Sequence, residues 1–221
     1  METIPMTEDP PSQETAYLIG RYPAVNQNTL LLTRALAIQA YATLEFSLST
    51  VFAQWLGTSV DVGGLVFFRI TNAHARNRIL DDLKKKRLES NYNLFWNSLL
   101  SLIRTIDQRR NEIVHWHIVN NIDLSIPHEQ ASKLTLNPPT GWGSGAGTSI
   151  NEQELAEFIL KCDFVSRAIV MFSAIGTDRA VDLDEVWLNI FQQPITYPPP
   201  GTHPLSPKYS GSESPPQRPE A

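Results

Sequence analysis

The sequence predicts an all-α protein, a bundle of four to five helices with a short extended or loop insert and disordered termini. Four long segments repeat apolar residues at helical spacing, and the one long stretch between them without that period is 119–149. With 221 residues, of which 42% are hydrophobic, the chain has enough apolar side chains for one domain. We expect this domain to span 16–192, with a disordered N-terminus at 1–15 and a Pro-rich disordered tail at 193–221.

Three of the predicted helices precede the insert. The first runs from about 26 to 56, and its apolar stripe is interrupted only by Arg34. The second covers about 62–89 and carries the basic cluster KKKR (84–87) near its end. The third covers about 92–118, with an apolar stripe that continues almost to its last residue.

The insert and the chain after it have different local signals. Within 119–149, adjacent prolines, four glycines and the alternating KLTL predict a short strand or hairpin and a loop. The Gly-rich GWGSGAG (141–147) lacks the preceding strand and the Lys-Ser/Thr ending of phosphate-binding loops, so it is interpreted as a flexible loop. Thr148 or Ser149 is then expected to cap a fourth helix that ends near 175, followed by a short fifth, DLDEVWLNIF.

Composition limits the classes of protein to consider. The single Cys162 excludes an internal disulfide framework and a multi-Cys zinc site, and we expect no metal and no cofactor. No uninterrupted apolar run approaches the roughly 20 residues of a membrane span, and the acidic N-terminus does not resemble a signal peptide. We therefore expect a cytoplasmic protein without membrane association.

Charge is distributed unevenly along the chain. The net charge of −5 argues weakly against a dedicated nucleic-acid binder. Between 69 and 115, however, the sequence contains ten Lys and Arg residues and only five Asp and Glu residues. This basic region is interpreted either as a solvated helix face or as a weak anion- or RNA-binding surface. The candidates for that surface are Lys84, Lys85, Lys86 and Arg87.

The third predicted helix ends in an unusual polar run, TIDQRRNEIVHWHI. Spacing by four places Asp107, Asn111 and His115 on one stripe, and Arg104 lies close to it. Arg110 lies about 140° from His115 on an ideal helix, on the apolar side. Purely structural roles remain open, because an Arg on such a seam often pairs with a buried acid and an imidazolium is favoured at a helix C-terminus.

The hexapeptide RNEIVH (110–115) matches the Arg-x4-His motif of the HEPN superfamily, with a polar residue directly after the Arg. Its position on a third long helix, before a loop and a last helix, also resembles that superfamily over roughly 26–175. The resemblance implies a helical bundle, commonly dimeric, in which motif residues of two subunits meet in one cleft. Active members are metal-independent endoribonucleases of toxin–antitoxin, CRISPR-associated and phage-defence systems, and many other members have no nuclease activity.

The resemblance also implies roles for individual residues. His115 would be the acid/base, Arg110 the phosphate clamp and Asn111 the group that orients the site. This chemistry is plausible without a metal, because an imidazole with a pKa near about 6.5 moves protons at neutral pH and an Arg fork stabilises phosphoryl charge. Some toxin members have a Tyr two places after the His, where this chain has His117. The accessory candidates are His117, Asp107 and Arg104.

Two functions remain open at the level of sequence. The first is a metal-independent endoribonuclease of the toxin–antitoxin or phage-defence type, in which a 2′-hydroxyl attacks the phosphodiester. The second is a non-catalytic, HEPN-like dimerisation or interaction module. The expected partners are a second copy through the third helix, an RNA substrate and an antitoxin protein. A cleft open to solvent, with Arg110 and His115 of two chains within reach of one phosphate, would favour the enzyme, and burial of both behind Trp116 would favour the module.

Overall fold

The structure is a computed structural model that describes residues 27–122, 132–139, 149–175 and 185–209. The fold is an all-α bundle with one small sheet, as the sequence predicts. The helices are α1 Gln27–Leu56, α2 Val60–Arg69, α3 Ala73–Arg87, α4 Asn93–His115, α5 Glu152–Ser173 and α6 Glu185–Ile190. A 3₁₀ turn at Ser90–Tyr92 precedes α4, and the strands β1 His117–Ile122 and β2 Ser132–Asn137 follow it.

The long helix α1 is the centre of the bundle. It packs most extensively along α5, its C-terminal half also contacts α2, and α4 packs against both α1 and α5. Between α1 and α5 the hydroxyls of Ser47 and Ser166 share a buried 2.6 Å hydrogen bond. By length and composition alone, the segment Thr29–Leu56 could also cross a membrane, with a hydropathy of 1.2. This is weak evidence for a span, because the core helix of a bundle has the same composition.

The single second helix predicted from 62 to 89 is wrong, since the structure divides it into α2 and α3. Ile70 ends α2 in an extended conformation, and Asn72 begins α3 as its N-cap. The Asn72 side chain accepts a hydrogen bond from the Ala75 N–H at 3.0 Å. Asn is among the strongest N-cap residues, so a new helix starts here rather than the old one continuing.

The hairpin confirms the extended insert, although it begins earlier than predicted. Helix α4 ends at His115, and Trp116 is already extended, so the predicted helical stretch 116–118 leads into β1 instead. The two strands pair antiparallel, with His117 opposite Asn137. The predicted Gly-rich loop at 141–147 lies outside the described residues.

Part of the predicted disordered tail is packed onto the domain. Ile195 and His203 are 5% and 7% exposed, and the Phe164 ring of α5 contacts both Tyr197 and His203. The prediction is therefore wrong for residues 193–209. Prolines restrict the unfolded chain, so that a few apolar side chains suffice to hold this segment. The remaining tail residues and the predicted disordered N-terminus lie outside the described residues.

Candidate functional site

The C-terminal end of α4 is fastened to α1 by one arginine. The Arg34 guanidinium donates to the carbonyl oxygens of Ile113 and Val114, both at 2.8 Å, and to that of Trp116 at 3.2 Å. These are the carbonyl groups that a helix end leaves without an intrahelical partner. Arg34, which in the sequence only interrupts an apolar stripe, thus fixes the position of His115.

The outer face of α4 carries an exposed polar stripe near this end. Arg104, Asn111 and His115 are all exposed, and the spacing of three and four residues lines them up along the helix. His117, the first residue of β1, is exposed as well. The candidate acid/base and the candidate orienting amide are therefore accessible to a substrate.

Asp107 does not lie on this outer stripe, contrary to the prediction. Its carboxylate turns inward, where Oδ1 accepts from the Tyr41 hydroxyl at 2.9 Å and Oδ2 accepts from the Asn77 amide at 3.2 Å. Burial raises the pKa of Asp107, while these two hydrogen bonds act in the opposite direction. Asp107 lies on the side of α4 that faces α1 and α3, so helical spacing alone assigned it to the wrong face.

Arg110 is half-buried and held by an aromatic ring and an amide. Its guanidinium carbon lies 5.1 Å from the centroid of the Tyr41 ring, and Nη1 donates to Asn111 Oδ1 at 3.1 Å. The side chain thus bends from the apolar side of α4 toward the exposed stripe, and it is hydrogen-bonded to Asn111 rather than to His115. Within the described part of the chain, no carboxylate lies within 4.0 Å of its nitrogens.

An ion pair between α3 and α1 lies one turn from Tyr41 along α1. Arg76 of α3 forms a 2.6 Å ion pair with Glu45 of α1, and both side chains are mostly buried. Arg76 also lies over the Phe67 ring, at 5.0 Å from its centroid. The sequence pattern did not indicate this ion pair, because Tyr41, one turn before Glu45, fits the apolar spacing of the first predicted helix.

Two residues of the basic cluster, Lys84 and Arg87, donate hydrogen bonds within the fold. Lys84 is 1% exposed, and its ammonium donates to the Glu89 carbonyl at 3.0 Å and to the side chain of Asn93. Burial lowers the pKa of Lys84. Arg87 donates to the Trp55 carbonyl at 2.8 Å, at the end of α1. The prediction that Lys84 binds substrate is wrong.

Lys85 and Lys86, the other two cations of the cluster, are exposed, as is Arg87. Lys85 forms a 2.6 Å ion pair with Asp81, and Asp82 lies 3.8 Å away. These carboxylates reduce the positive potential that an RNA backbone would meet there. The cluster therefore offers a weaker anion-binding surface than its sequence indicates.

Two clefts lie on the side of α5 and the segment after α6. The larger has a volume of about 480 Å³, the smaller, of about 330 Å³, also borders α4 through Thr105 and Arg109, and both are lined by Tyr197 and Pro198. None of the predicted site residues lines either cleft. The candidate site is instead the surface where α1, α4 and the start of β1 meet.

Comparisons of the chain with protein families, with curated proteins and with solved structures return no match.

Proposed function

We propose that this chain is a HEPN-like, metal-independent endoribonuclease of the toxin–antitoxin or phage-defence type. One observation supports this most strongly. Arg110 is a half-buried cation that no carboxylate of the described residues neutralises, and it lies at the rim of the exposed stripe that carries His115. A structural arginine on a bundle seam would be expected to pair with an acid. An arginine held by a ring and an amide keeps N–H groups for an external anion.

The proposed reaction needs only groups that these residues supply. The 2′-hydroxyl of the RNA loses its proton to a base and attacks the adjacent phosphorus, while the bond to the 5′-oxygen breaks and that oxygen gains a proton. The products are a 2′,3′-cyclic phosphate and a 5′-hydroxyl. His115 transfers a proton, and Arg110 donates to the non-bridging oxygens whose charge grows in the transition state. Asn111 orients Arg110.

On an ideal helix Arg110 and His115 are about 140° apart, and in the structure the Arg110 side chain bends toward the exposed stripe but is hydrogen-bonded to Asn111 rather than to His115. We propose that a second copy of the chain completes the site by bringing its own Arg110 to this His115. The outer stripe of α4 is polar, whereas the N-terminal half of α1 has exposed apolar side chains. Those more than 40% exposed are Leu32, Leu36 and Ile38, with Leu31 at 40%. Arg34 is the only charged residue between 29 and 44. Ile38 lies one turn from both Arg34 and Tyr41. We propose that the homodimer contact lies on this part of α1, whereas the sequence led us to expect it through the third predicted helix, α4.

The same apolar surface favours the second candidate function, a non-catalytic interaction module. A contiguous exposed apolar patch commonly marks a protein-binding surface. An antitoxin or another partner protein could cover it without any chemistry at His115. The two functions differ in whether RNA is cleaved.

The direct test is to incubate the purified protein with single-stranded RNA in EDTA, beside Arg110→Ala and His115→Ala. Arg167→Ala, which changes a cation of α5 that is 64% exposed and outside the candidate site, is the matched control. We expect the parent and the control to cleave RNA to 2′,3′-cyclic phosphate ends, and both site variants to lose activity by at least about 100-fold. Equal cleavage by folded site variants, or no cleavage by the parent, would reject the nuclease.

A further inference from the structure

Arg110 has a potential competitor on its own helix. Asp107 precedes it by three residues, a spacing at which opposite charges on a helix commonly pair. In a half-buried position such a pair would be stronger than on the surface. No ion pair joins the two residues in the structure, although both are described.

Tyr41 accounts for the missing pair. Its hydroxyl donates to Asp107 Oδ1 at 2.9 Å, and Asn77 donates to Oδ2 at 3.2 Å, so both carboxylate oxygens already have a donor. The Tyr41 ring meanwhile carries the Arg110 guanidinium on its face. A cation over an aromatic face is attracted by the ring electrons, so this position is favourable without a carboxylate.

The other carboxylate in this region is also occupied. Glu45 lies one turn after Tyr41 on α1, and its Oε1 forms an ion pair with Nη2 of Arg76 at 2.6 Å. Tyr41 itself is 5% exposed, so that its ring is held by the core. Among these groups, Arg110 is the cation that remains available to a phosphate.

We infer that Tyr41 is a positioning residue, which satisfies Asp107 with its hydroxyl and holds Arg110 with its ring so that the guanidinium meets the phosphate of the RNA. The role of Arg110 in this inference rests on the proposed function. The positioning itself concerns only the three side chains. Tyr41→Phe retains the ring but leaves Asp107 Oδ1 without a donor, so that Arg110 becomes its new partner.

A double variant distinguishes positioning from simple stabilisation. We expect Tyr41→Phe to lower kcat/KM for RNA by at least about 10-fold, the worth of a charge-assisted hydrogen bond. Tyr41→Phe combined with Asp107→Asn removes the competing charge and should recover most of that loss. A merely structural Tyr41 predicts instead that the double variant is no better than the single one, which would overturn the inference. Circular dichroism and thermal melts check that each variant folds.

A second readout separates this inference from the proposed nuclease. The Nε–Hε proton of Arg110, assigned by comparison with Arg110→Lys, should be shifted upfield by the Tyr41 ring. It should move downfield in Tyr41→Phe and return toward the parent position in the double variant. If the parent cleaves no RNA but this pattern holds, the nuclease is rejected and the positioning stands. An unchanged Arg110 signal in Tyr41→Phe overturns the positioning, whatever the activity.

Discussion

The contacts of each side chain determine whether a charged residue of this bundle stabilises the fold or lies at the surface. Asn77, Leu80 and Lys84 follow one another at helical spacing, and all three are buried. The sequence places Lys84 within a run of four cations, and composition cannot tell which of them faces the core. The helical spacing of Asn77, Leu80 and Lys84 indicates that Lys84 lies on the same side of the helix as Leu80. Only the packed structure shows that Glu89 and Asn93 supply oxygens for the ammonium.

The buried ammonium of Lys84 yields a stability prediction. Lys84→Ala should lower the free energy of unfolding by about 1–3 kcal/mol, because it leaves the Glu89 carbonyl and the Asn93 amide without their donor. The neighbouring Lys86→Ala should change it by no more than about 0.5 kcal/mol, as for other exposed positions. Urea unfolding compares the two, and equal stabilities would contradict the structural role of Lys84.

Helices were the elements that the sequence predicted best, and their ends were predicted worst. Apolar periodicity located α1, α4 and α5, because burial of one face produces it directly, but it joined α2 and α3 into one helix. Caps were misassigned where several polar residues compete. The N-cap of helix α5 is Asn151, whose side chain and that of Glu154 form a reciprocal capping box, rather than Thr148 or Ser149. The helical pattern could not reveal the break near Asn72 either, since apolar residues continue on both sides of it.

The contact between α1 and α2 depends on a single glycine. A Cβ added to Gly63 would lie 2.3 Å from the Ala53 Cβ and 2.7 Å from its Cα. Gly63→Ala should therefore destabilise the protein by about 1–3 kcal/mol through overpacking. Gly64→Ala meets nothing within 4 Å and should be neutral or stabilise α2 by up to about 1 kcal/mol. Thermal melts of both variants test this, and a Gly63→Ala variant as stable as Gly64→Ala would mean that α1 and α2 are farther apart.

In the whole molecule, the packing of the helices places residues 110–115 at the surface, and only part of this arrangement could be predicted from the sequence. Apolar periodicity predicted the third long helix and located residues 110–115 near its end. Three further features could not be predicted, because each depends on how α1 packs against α4. They are the inward orientation of the Asp107 carboxylate, the position of the Tyr41 ring against Arg110, and the hydrogen bonds from Arg34 to the end of α4. The exposure of the apolar side chains Leu32, Leu36 and Ile38 likewise could not be predicted, because it depends on which side of α1 packs against the other described helices.

We propose that Arg110 of one copy and His115 of another act on one phosphodiester. We would mix inactive Arg110→Ala with inactive His115→Ala, allow the subunits to exchange, and measure RNA cleavage in EDTA. In a two-fold dimer, each mixed pair regains one intact composite site, so about a quarter of the parent activity should return. Adding Ile38→Glu to both chains should abolish this recovery by separating the subunits. Activity that stays at the level of the separate variants after proven exchange would contradict the shared site.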